Sequence, residues 1–134
     1  ATSNGSMPSV PASAKLMGTA GENVYTIDYV HLESSPQGKA FTQKLSKYLS
    51  PDEMGRLNRS SYTGYASTRA LLDAIGRCGK ALTWDCTNAE LAKVKNLETG
   101  VMTPVSFSAT NHLAAPKLFL LKADPAAVTY KAVQ

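Results

Sequence analysis

Hydrophobic and polar positions change period several times along this chain, and each change marks an element. From Val24 to Leu32, "VYTIDYVHL" is rich in β-branched and aromatic residues, which predicts a strand. Tyr25, Ile27 and Tyr29 share one face, and Val24, Thr26, Asp28 and Val30 share the other. Both faces are fairly apolar, which suits a partly covered strand. The period then becomes helical in "SSPQGKAFTQKLSKYLS". Ser35 is placed as an N-cap with Pro36 as first helical residue, and Phe41, Leu45, Tyr48 and Leu49 make the apolar stripe. "SPDEMGRL" repeats the Ser-Pro start and predicts a short helical turn.

The strongest helical pattern is "SSYTGYASTRALLDAIGRCG". Ser60 or Ser61 is expected to cap it. Tyr65, Thr68, Leu72 and Ile75 form one stripe, flanked by Tyr62, Ala66 and Leu71. A further short helix is expected at "TNAE", where Thr87 and Glu90 match a capping box and Leu91, Val94 and Leu97 supply the apolar side. Beyond Gly100 the pattern returns to strand. "PVSFS" and "KLFLLKA" predict a pair joined by a long turn over "ATNHLAAP", and "AVTYKAV" a last strand or extended tail. The organisation expected is therefore loop over 1–15, strand and helices over 16–100, and a terminal β-hairpin segment over 101–134.

Broad amphipathic helices need a sheet or more helices against them. Only four short strands are predicted, three of them near the C-terminal end. The chain reads as part of something larger, or as half of an intertwined oligomer, and uncovered strand edges predict self-association.

With 134 residues, 43% hydrophobic and 18% charged, the chain has the makeup of one globular domain. Its formal charge of +4 is mild, and the basic residues are scattered without an aromatic-rich stripe, which argues against nucleic acid as a partner. No apolar run approaches the ~20 residues that span a bilayer. The opening "ATSNGSMPSVPASAK" lacks the charged start and apolar core of a signal peptide, so export would require a signal removed or lying further upstream.

The cysteines, Cys78 and Cys86, lie in "RCGKALTWDC" with seven residues between them. Structural zinc wants four ligands with closer spacing, and His31 and His112 are distant, so no metal is expected. A redox pair would need C-x-x-C. Two unrelated buried thiols remain open, but a disulfide fits the local pattern better. Cys78 precedes Gly79 at a helix stop, Cys86 precedes the next helix start, and the bond would clamp "GKALTWD" between them. Such bonds persist in oxidising compartments.

No nucleophile elbow, phosphate loop or dinucleotide fingerprint is present. His31 reads as a strand-end histidine, His112 as a turn residue, and Asp52 and Glu53 as favourable first-turn acids. Tyr62 and Tyr65 are core residues on the plainer reading. The sharper reading is ligand contact near a helix start, where free backbone N–H groups gather. Trp84 is expected to cover the clamped loop.

The run "SSYTGYASTRALLDAIGRCGKALTWDCTNAELAKVKNLETGVMTPVSFSATNHLAAPKLFLLKAD" resembles the C-terminal portion of type I periplasmic solute-binding proteins, the leucine/isoleucine/valine-binding family of ABC importers. Upstream, "GENVYTIDYV" resembles the strand before that family's Phe-containing helix, which corresponds to "GKAFTQKLSKYLS". The resemblance spans residues 15–133. It implies an α/β fold, the last third of a two-lobe protein that closes around a small solute such as an amino acid or small aromatic or organic acid. It also implies ABC permease subunits as partners, a periplasmic address, no cofactor and no catalysed reaction. By position, Ser60, Ser61 and Tyr62 correspond to residues facing the cleft between lobes; Ser60 stands where some relatives carry an aromatic. A ligand-sensing regulatory domain of the same fold, or a small standalone interaction protein, are the alternatives.

Overall fold

The computed structural model describes residues 2–3, 11–114 and 117–133. Its elements are β1 (Thr2–Ser3), α1 (Pro11–Met17), β2 (Val24–Asp28), α2 (Pro36–Leu45), α3 (Pro51–Gly55), α4 (Arg59–Cys78), α5 (Trp84–Ala92), β3 (Phe119–Asp124) and β4 (Thr129–Ala132). Mixed helix and sheet is thus confirmed. Of the loop expected over 1–15, residues 1 and 4–10 lie outside the described residues; the remainder holds β1 and most of α1.

The four strands form one sheet in the order β1-β2-β3-β4, with β1 parallel to β2 and the other pairs antiparallel. The terminal hairpin is therefore β3–β4, and β3 also pairs with β2 across some 90 residues of chain. "PVSFS", expected to pair with "KLFLLKA", forms no strand; its Val105 makes a single bridge to Leu97. Of the turn expected between them, residues 115 and 116 lie outside the described residues.

Apolar burial divides into two cores. The first gathers Phe41 of α2, Tyr62, Ala66 and Ala70 of α4, Val94, and Val101, Met102 and Val105, together with Val30. The second lies between α1 and the sheet, and holds Ala14, Leu121, Ala123 and Tyr130. The Ser13 and Tyr130 hydroxyls hydrogen-bond there at 3.2 Å. Among the described residues, the sheet is covered on that face. On the other, Ile27 and Leu120 stand opposite each other in register and are 44% and 45% exposed.

Caps follow the expected chemistry, sometimes one turn away. The Gly38 N–H donates to Ser35 Oγ at 3.1 Å with Pro36 beginning α2, and Ser50 with Glu53 forms a capping box on α3. Helix α4 is capped by Asn58 rather than Ser60 or Ser61, and α5 by Thr83 rather than Thr87, which is buried inside the helix. In both cases the residue expected to cap lies within the helix, because an equally good cap precedes it. Gly79 ends α4 at φ +55° and donates its N–H to Ile75, a backbone conformation that favours glycine.

The buried face of α4 is also not the expected one. Tyr62, Ala66, Ala70, Ala74 and Cys78 point inward, whereas Thr68 and Leu71 are exposed and Leu72 is 56% exposed. Small residues spaced four apart let neighbouring backbone approach closely, so the alanine row packs and the leucines face outward.

Candidate functional site

The chain passes from the sheet core to the helical core between Asp28 and Ser35; later, Ala114 packs on the helical core and Phe119 on the sheet core. A buried polar cluster lies at the first crossing. Asp28 ends β2 with its side chain 2% exposed. A buried carboxylate is tolerated only where donors surround it. Here the N–H groups of Tyr29 and Val30 donate to Oδ1 at 2.8 and 3.0 Å. Arg59, the first residue of α4, reaches Asp28 from the helical body. Its Nε donates to Oδ1 at 3.0 Å and to Oδ2 at 3.2 Å, and its Nη2 lies 3.0 Å from Oδ1. The same guanidinium lies 4.3 Å from the centre of the Tyr29 ring. Burial alone would lower the Arg59 pKa; the Asp28 charge and hydrogen bonds outweigh it and raise it.

Tyr29 is fixed in turn, its carbonyl accepting from the Thr103 N–H at 3.0 Å. The backbone of His31 donates to Val101 at 2.9 Å, and its ring meets Phe119 of the returning strand at 5.3 Å. Burial lowers the His31 pKa, while Glu98 and the Met102 carbonyl pull it upward.

Of the residues expected to face a solute, Ser60 is exposed on the first turn of α4. Its N–H and that of Ser61 donate to Asn58 Oδ1 at 2.9 and 3.3 Å, while Ser61 Oγ accepts from the Asn58 N–H at 3.3 Å. Tyr62 is buried against Phe41, ring centres 5.5 Å apart, and its hydroxyl donates to Glu33 at 3.1 Å. Burial first, then the Glu33 charge and hydrogen bond, push the Tyr62 pKa up to about 12. The three residues therefore lie together beside the crossing. Trp84, expected to cover the clamped loop, is 83% exposed. Asp28 and Arg59 were not picked out by sequence. The available signal was an acidic residue among the inward positions of a strand, where a carboxylate requires a charged partner.

Beside α4 runs an apolar groove of about 390 Å³, walled by Tyr29, Ala66, Met102, Phe107 and Leu118 with the Thr63 and Ser67 side chains at its lining. Among the described residues no three His, Cys, Asp or Glu side chains cluster as a metal site, and no helix is long and apolar enough to cross a membrane. Cys78 and Cys86 are disulfide-bonded, with Cα atoms 6.0 Å apart. Cys86 sits in the first turn of α5, not before it.

The family model described as periplasmic binding protein matches residues 6–127. The chain belongs to the periplasmic binding protein family. Its fold is similar to that of a branched chain amino acid ABC transporter protein from Thermus thermophilus with bound valine, at TM-score 0.73 and 16% identity, covering 93% of this chain and 36% of that one. It is similar also to a leucine binding protein from Thermotoga maritima, at TM-score 0.60 and 20% identity, covering 92% and 33%. The chain thus spans about a third of the length of these family structures. A search of curated proteins returned no match.

Proposed function

We propose that this chain is part of a periplasmic substrate-binding protein that captures a small solute, an amino acid or small aromatic or organic acid, and delivers it to an ABC permease. The observation that supports this most is the pairing of a family match over residues 6–127 with a chain that builds two separate cores. Two bodies joined by a short connecting segment can rotate about it and enclose a ligand without catalysing a reaction. Both structural neighbours carry branched-chain amino acids or leucine in their descriptions, so aliphatic amino acids head the solute list. Ser60, Ser61 and Tyr62 are the proposed solute contacts. The disulfide agrees with an oxidising, periplasmic address.

A thermal-shift series on the full-length gene product tests this. L-valine, L-leucine and benzoate are each added at rising concentration, since a ligand that binds only the folded state raises its melting temperature. A concentration-dependent rise with any one supports solute binding. No rise across amino acids and organic acids removes the reading.

The 134-residue chain alone is proposed to self-associate, because Ile27 and Leu120 on the open sheet face and Leu72 on α4 are left bare. Light scattering that returns a sharp monomer mass refutes this part.

A further inference from the structure

Asp28 and Arg59 belong to different bodies. Asp28 is the last residue of a strand whose sheet packs on α1, and Arg59 is the first residue of the helix that builds the other core. They meet where the chain passes between the two. Asp28 is not free to follow Arg59, because its Oδ1 is tied to the Tyr29 and Val30 N–H groups. Arg59 is not free to follow Asp28 either: its Cα is fixed in the first turn of a 20-residue helix. Its guanidinium, which meets both carboxylate oxygens through Nε and lies over the Tyr29 ring, joins two rigid frames in one geometry.

We propose that Asp28 and Arg59 are a positioning pair that fixes the angle between the two bodies, and so set the open–closed balance on which solute affinity depends. The two residues need not touch the solute. Their effect on affinity comes from the fraction of molecules already at the angle that binds. That consequence rests on the proposed solute-binding reading; the angle itself does not.

The experiment uses the full-length gene product with spin labels on cysteines introduced at the exposed Lys47, after α2, and Ala132, in β4, the native disulfide left intact. Pulsed electron–electron resonance measures the distance distribution without ligand and with L-valine. Arg59→Gln and Asp28→Asn, which keeps acceptors for the two backbone N–H groups, are each expected to broaden or displace the ligand-free distribution by at least ~2 Å. The double variant should go no further than either single. Arg59→Lys, which keeps the charge without the fork, should fall between wild type and Arg59→Gln, and serves should Arg59→Gln fail to fold. Valine affinity, where valine binds, should change several-fold in the same order. Variants that lower the melting temperature yet leave the ligand-free distribution unchanged would show an ordinary buried ion pair and overturn the proposal. A wild type indifferent to valine, with the Arg59→Gln distribution broadened, upholds the pair and removes only the amino-acid reading.

Discussion

Removing the disulfide should release one helix rather than the fold. Helix α5 has nine residues and buries only Thr87, so it cannot persist on its own hydrogen bonds. Three ties hold it to α4. Arg77 Nη2 donates to the Glu90 carbonyl at 2.8 Å, and Arg77 Nε to Glu90 Oε2 at 2.9 Å. Both involve an exposed guanidinium, where water screens the charge, so they hold the helix only weakly. The third is the Cys78–Cys86 bond, which closes a loop with a sequence separation of 8. The chain-entropy estimate for a loop of that length is about 2.5 kcal/mol. The disulfide is therefore the dominant tie, and its loss corresponds to about a 70-fold rise in the opening equilibrium. Amide exchange by mass spectrometry on the full-length gene product, oxidised against Cys78→Ser/Cys86→Ser, measures this directly. Peptides over 79–92 should lose protection by about that factor, while peptides from β2 and β3 should not change. Equal protection over 79–92 in both forms would show that packing, not the bond, holds α5. A loss spread evenly over all peptides would show that the staple supports the whole fold.

Three other outcomes follow from local geometry. Tyr62→Phe should cost about 1 kcal/mol through the lost bond to Glu33, measured by urea denaturation. Because the folded Tyr62 pKa is raised, its contribution is complete below the ordinary tyrosine range and is lost as pH climbs from there through about 12; stability against pH should lose that alkaline slope in the Phe variant. Gly38→Ala would set a Cβ 2.2 Å from the Leu32 carbonyl oxygen and 2.7 Å from the Glu33 Cα, both backbone, and should destabilise on the order of 3 kcal/mol. Gly64→Ala, mid-helix in open space, should instead raise the melting temperature, with a gain of about 0.5–1 kcal/mol.

Features that depend on a few neighbouring residues were legible in the sequence. Ser35 with Pro36, and Ser50 with Glu53, announce helix starts through their own side chains, and β2 announces itself through β-branched content. The disulfide was legible for the same reason, since the Gly79 helix stop placed both cysteines beside one short loop. Features set by distant partners were not. Strand β3 pairs with β2 and β4, and nothing in "PVSFS" reveals that it has no strand partner of its own. Helix α4 carries leucines on one side and alanines on another, and periodicity alone does not say which side meets a neighbour. Ser60, Ser61 and Tyr62 were expected by resemblance to face a solute; they occupy the first turn of α4, with Tyr62 turned inward against Phe41. The Asp28–Arg59 pair spans 31 positions and escaped notice because neither residue has an unusual local context.

The residues that broke the local rules bear on function. Ile27 and Leu120 are strand residues on the bare side of a sheet, and Leu71 and Leu72 are helix residues on the bare side of α4. A sequence selected to be soluble alone would place polar residues at such positions. One bare apolar face on each body is what a two-lobe fold would require of a segment that contributes to both lobes, and the chain covers about a third of each structural neighbour. The polar groups, by contrast, are paired where the two bodies meet: Asp28 with Arg59, Tyr62 with Glu33, the Tyr29 carbonyl with Thr103. Apolar surface left open on the outer faces, with charges and hydrogen bonds closed at the crossing, fits the proposed reading, in which packing comes from the rest of the protein and alignment from the crossing. On the proposed solute-binding reading, the crossing is where substitutions should alter solute affinity without altering solubility, and the bare faces are where they should do the reverse.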